Sequence, residues 1–96
     1  MTTKNRLKEI CTLLGAHYRM DTVDFEDVIY RDFGNGYEIV ISSGNNHKED
    51  LNLWLDVRCK EYSAPVKTIR NITSTMELKQ YLDMIISEHV HSQAGL

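Results

Sequence analysis

Apolar positions along the chain follow two periods. Leu7, Ile10, Cys11, Leu14 and Tyr18 recur at i, i+3, i+4, i+7 and i+11, a stripe of a 3.6-residue repeat that predicts a helix over 4–19. Leu13 and His17 flank the stripe, Lys4, Arg6, Lys8 and Arg19 lie mostly off it, and Thr2 or Thr3 can cap the start. Gly15 falls inside this stretch and weakens its last turns by about 1 kcal/mol relative to alanine. A turn opens at Asp21-Thr22. From Val23 to Phe33 no helical stripe can be drawn among the aromatic, β-branched and acidic residues.

Gly34-Asn35-Gly36 separates that run from Tyr37-Glu38-Ile39-Val40-Ile41-Ser42, a hairpin signal because glycine and asparagine tolerate positive φ. Strands over 27–33 and 37–42 follow. A three-residue loop pairs Phe33 with Tyr37 and a two-residue loop pairs Phe33 with Glu38, and the choice flips the first strand's faces. Ser43 to Asp50 is polar and reads as a loop. Leu51, Leu53, Leu55, Val57 and Cys59 then alternate with Asn52, Trp54, Asp56, Arg58 and Lys60, which predicts a strand over 51–61 with one core face and one polar face. Ser63-Ala64-Pro65 breaks it, and Val66 and Ile69 mark a strand over 66–71. Ser74-Thr75-Met76-Glu77 is a capping box, in which Ser74 accepts from the Glu77 amide and the Glu77 carboxylate reaches back. Behind it Leu78, Tyr81, Leu82, Ile85, Ile86 and His89 make a second helical stripe, a helix over 75–89, with a frayed tail at 90–96.

The order helix, hairpin, two strands, helix implies an α+β fold. The expected architecture is an antiparallel four-stranded meander with the N- and C-terminal helices packed on one face, in a single domain over 1–96. Composition agrees: 42% hydrophobic and 26% charged residues lie within the globular range. The longest apolar runs are too short to cross a bilayer, and the start lacks the apolar core of a secretory signal. The expectation is a cytoplasmic protein. Cys11 and Cys59 occupy apolar-periodic positions and read as reduced, buried thiols.

Candidate chemistry is sparse. His89-Val90-His91 places two imidazoles one residue apart, which diverge on a helix, and no cysteine or carboxylate stands at zinc-site spacing. Asp24, Glu26 and Asp27 cluster where all stay hydrated and ionised, unlike an acid/base pair whose environments push their pKa values apart. The serines lack a nucleophile elbow, and Gly34-Asn35-Gly36 lacks the helix start of a dinucleotide fingerprint. The reading is therefore a non-enzyme with no catalytic residue, no metal site and no cofactor.

Charge is more informative. Residues 1–20 carry a net +3, residues 21–56 a net −7 and residues 57–96 a net +1, so the formal −3 hides a dipolar chain. Trp54 and Tyr62 fall on the even, nominally polar face of the third expected strand, and Trp, Tyr and Arg dominate binding hot spots. Asp24, Glu26, Asp27, Asp32, His47, Glu49, Asp50, Trp54, Asp56, Arg58 and Tyr62 are thus the expected partner-binding residues, directed at a basic surface of another protein. In size, acidity and helix–meander–helix layout the chain resembles small phage anti-defence proteins, anti-CRISPR proteins among them, and nuclease-immunity proteins. The resemblance is one of format and covers no motif, so it assigns no residue. It implies an inhibitor or adaptor that occludes a basic, nucleic-acid-binding or nuclease effector. The alternative is a nucleic-acid-binding or regulatory domain, using Lys4, Arg6, Lys8 and Arg19 or the Trp54, Arg58 and Lys60 face. A homodimer formed through the open edge at 66–71 is a third reading, and no membrane partner is expected.

Overall fold

The computed structural model describes residues 3–43, 51–62 and 64–91. It is an α+β fold with five strands where the pattern predicted four. Helix α1 (Thr3–Leu14) is followed by β1 (Arg19–Val23), β2 (Glu26–Asp32), β3 (Tyr37–Ser43), β4 (Leu53–Cys59), β5 (Pro65–Ile72) and α2 (Thr75–Ile86), which runs into a π-helical turn (Ser87–His91). The strands form one antiparallel sheet in sequence order.

The extra strand arises because α1 stops earlier than expected. Gly15 does not weaken the helix from within but ends it. With φ at +103° it takes the left-handed conformation of a helix terminus and donates its N–H to the Cys11 carbonyl at 3.2 Å. The chain then turns, with Tyr18 N–H bonded to the Gly15 carbonyl at 3.2 Å, and residues 19–23 extend to pair with β2. Tyr18 still buries its ring, from the turn rather than from the helix.

Between β2 and β3 the chain takes the three-residue loop. Asp32 faces Glu38 across the ladder, and the Phe33 N–H bonds the Tyr37 carbonyl at 3.1 Å. That register puts Ile29, Arg31, Ile39, Ile41, Leu53, Leu55 and Val57 on one face. Leu7, Ile10 and Cys11 of α1 and Leu78, Leu82 and Ile85 of α2 join that face in one buried cluster, so both helices contribute to the core on this side. Asn71, with φ at +60°, sits where β5 slips a residue against β4 between the Leu53–Ile72 and Leu55–Ile69 pairs.

Ser74 caps α2 by accepting from the Glu77 N–H at 3.1 Å, but the Glu77 carboxylate accepts from the Thr73 hydroxyl at 3.4 Å, so half of the expected box forms. The regular helix ends at Ile86 rather than 89. Its π-turn is tied to the sheet by the Asn35 amide, which donates to the His89 carbonyl at 2.6 Å, and by the His89 ring, 4.7 Å from that of Tyr37. The expected loop at 43–50 beyond Ser43, and the tail beyond His91, lie outside the described residues.

Candidate functional site

The acidic stretch before the expected hairpin is itself the tip of a hairpin. Val23 pairs with Glu26, leaving Asp24 and Phe25 as a two-residue connection, with φ at +52° and +65°. Left-handed geometry at both central positions matches strand twist and is normally supplied by Asn-Gly or Asp-Gly. Aspartate tolerates it. For phenylalanine the Cβ crowds the backbone and the conformation costs roughly 1–2 kcal/mol. The ring gains nothing in return, since Phe25 is 104% exposed, the most exposed large apolar side chain described. Asp24 and Glu26 beside it are exposed and Asp27 is half-buried. The tip therefore holds an exposed aromatic with carboxylates at the chain positions on either side of it.

Even-numbered residues of the inner strands form the sheet face that neither helix covers. Val28 and Val40 are buried there, at 2% and 8% exposure, although they belong to the side away from the main core. Trp54 stands opposite Ser42, half-buried, with the Arg70 guanidinium 4.6 Å above its ring. Its indole nitrogen is buried and lacks a hydrogen-bond partner among the described residues. Arg19 stacks in the same way on Tyr30, at 4.9 Å. The Tyr30 hydroxyl donates to Glu38 at 2.5 Å, and burial, reinforced by that carboxylate, pushes the phenol up to about 12. Asp56 accepts from the Thr68 hydroxyl at 2.8 Å, and Arg58 faces Glu38 across the β3–β4 ladder.

The expected docking residues are thus divided. Asp24, Glu26 and Asp27 gather at the hairpin tip, and Trp54 belongs to the same end of the sheet, because Ser42 lies at the end of β3 nearest that tip. Asp56 and Arg58 stand farther along the open face. Asp32 is at the opposite end of β2, about 20 Å from Glu26 at ordinary strand rise. There it binds the Lys60 ammonium at 2.5 Å and the Gly34 N–H at 2.8 Å, and the Lys60 hydrogen bond holds its carboxyl below the ordinary range. Asp32 thus ties two turns together. Tyr62 lies beyond β4, in the turn after Cys59 at that same far end, so it does not share a strand face with Trp54. His47, Glu49 and Asp50 lie outside the described residues.

Phe25 is the residue that sequence reasoning missed. Its signal was present but weak: an aromatic flanked by Asp24 and Glu26, with no glycine to announce a turn. Both cysteines are free, and burial raises the thiol of Cys11, which leaves it inert. Among the described residues no group of histidine, cysteine and acidic side chains could hold a metal ion, and no helix is long and apolar enough to cross a membrane. Comparison with protein-family models, with curated proteins and with solved structures finds no match.

Proposed function

We propose that the protein is a non-catalytic inhibitor or adaptor that inserts Phe25 into an apolar pocket rimmed by basic groups on another protein. The observation that carries this reading is the tip itself, a strained and fully exposed aromatic at a position where glycine would be the more stable choice. Binding returns what the free chain forfeits: burying the ring removes its apolar surface from water, and rigid aromatics at the centre of an interface dominate its energetics. Asp24, Glu26 and Asp27 supply the complementary charge that speeds encounter and fixes orientation. The same carboxylates oppose a phosphate backbone or an anionic lipid surface. A basic nucleic-acid-binding effector or nuclease suits such a tip, in keeping with an anti-defence or immunity role. Direct nucleic-acid binding finds less support, because Trp54 and Tyr30 each already carry a guanidinium on a ring face where a base would stack.

The test places a photo-crosslinking phenylalanine analogue at position 25 in the native host and then measures association of the captured partner. Phe25→Ala is expected to weaken binding at least about a hundredfold through faster dissociation. Reversing Asp24, Glu26 and Asp27 to lysine is expected to slow association, with a steep salt dependence. Unaltered affinity in Phe25→Ala would remove the proposal.

A further inference from the structure

The helix-covered face holds two charged residues that the docking reading does not use, Lys67, which is paired with Glu88, and Arg31. Arg31 lies on β2 opposite Ile39, on the core side of the sheet, and is half-buried. Its guanidinium carbon sits 5.2 Å from the Tyr18 ring centre and 4.8 Å from that of Phe33, and one Nη donates to the Tyr18 hydroxyl at 3.3 Å. These contacts fix the plane of the group without neutralising it. Among the described residues Arg31 forms no ion pair.

Above it opens a cleft of about 230 Å³ between the end of α1 and α2, to which Leu14, Leu82 and Ile86 contribute apolar surface. Leu13, 62% exposed, stands at its mouth, and His17 and Lys79 add further nitrogen donors at the rim. An apolar pocket with a few convergent polar groups is the usual form of a small-molecule site, and this one falls below the roughly 300–1,000 Å³ of drug-sized pockets. A planar guanidinium with unused donors matches a carboxylate bidentately. Asp83, also in the lining, disfavours a doubly charged phosphate head.

We propose that this cleft binds a small monocarboxylate with an aliphatic body, its carboxylate on Arg31 and its hydrocarbon against Leu14, Leu82 and Ile86. The site is separate from the hairpin tip and independent of what docks there.

Hexanoate and its neutral counterpart hexanamide provide the test, titrated into the full chain with methyl resonances as the readout. Hexanoate is expected to shift the Leu14, Leu82 and Ile86 methyls saturably, with a dissociation constant of about 1 mM or tighter, and hexanamide to bind at least about tenfold more weakly. Arg31→Gln should abolish that preference, while Phe25→Ala should leave it intact. Equal binding of the two probes to the unmodified chain would overturn the assignment, as would the absence of saturation by about 20 mM hexanoate. Both probes are read on the unmodified chain, so the comparison between them remains decisive even if Arg31→Gln fails to fold.

Discussion

The two faces of the five-stranded sheet are built from one alternation and are finished in different ways. On the helix-covered face Ile29, Ile39, Ile41, Leu55 and Val57 have no measurable exposure, and all five are aliphatic. On the open face two buried valines, Val28 and Val40, are bordered by residues that join charge to aromatic surface: Tyr30 with Glu38 and Arg19, and Trp54 with Arg70. The guanidinium groups of Arg70 and Arg19 lie over the two rings, their weakly hydrated faces against aromatic surface. Among the described residues, aromatic and charged side chains of the sheet itself border Val28 and Val40, and neither valine belongs to the cluster that the helices complete. The hairpin tip lies at the end of this face and lacks any such shielding.

Core truncation offers the largest contrast. Leu55→Ala should cost about 2–5 kcal/mol, because the helices above cannot collapse fully into the space left. Trp54→Ala, which removes a larger side chain from the open face, should cost no more than about 2 kcal/mol. Urea melts of both variants measure this, and equal losses would show that the open face is a second core. At the tip the sign reverses: replacing Asp24-Phe25 by Asn-Gly should raise stability by about 1 kcal/mol, since it relieves left-handed strain and exposes no new surface. Destabilisation there would mean that the Phe25 ring is held by contacts in the free chain.

Smaller effects sharpen the account of how the open face is covered. Arg70→Ala should cost about 0.5–1 kcal/mol and red-shift the emission of Trp54, the chain's one tryptophan. An unchanged spectrum would show that the guanidinium does not shield the indole. The last effect is read by titration rather than by melting and concerns Tyr30. Its phenol is raised to about 12, so the neutral, hydrogen-bonded form contributes stability below pH about 10, and this is lost as pH rises toward 12. Glu38→Gln should bring the phenol part of the way back, because burial, the larger cause, remains; phenolate absorbance against pH reads the shift.

Much of this was legible in the chain. The alternation of Leu53, Leu55 and Val57 with Trp54, Asp56 and Arg58 gave β4 its faces, and Ser74 gave α2 its start. What escaped was β1, because Arg19-Met20-Asp21-Thr22-Val23 carries only two apolar side chains, Met20 and Val23, which do not alternate, and its turn has no glycine. The periodic Tyr18 continued the stripe of α1 past Gly15, where only backbone geometry shows that the helix has ended. The candidate site was seen as an acidic cluster. Its aromatic centre was hidden, since exposure is a property of the folded chain.

The sequence by itself determined the α+β class, the side of β4 that enters the core and the acidity of residues 21–32, because side-chain period and charge are local properties. Tertiary structure decided the number of strands, the three-residue register between β2 and β3, and the separation of Asp32 and Tyr62 from the hairpin tip. Those outcomes depend on which backbone groups find partners across strands, and pairing over distance is set by competition among whole elements rather than by any one segment.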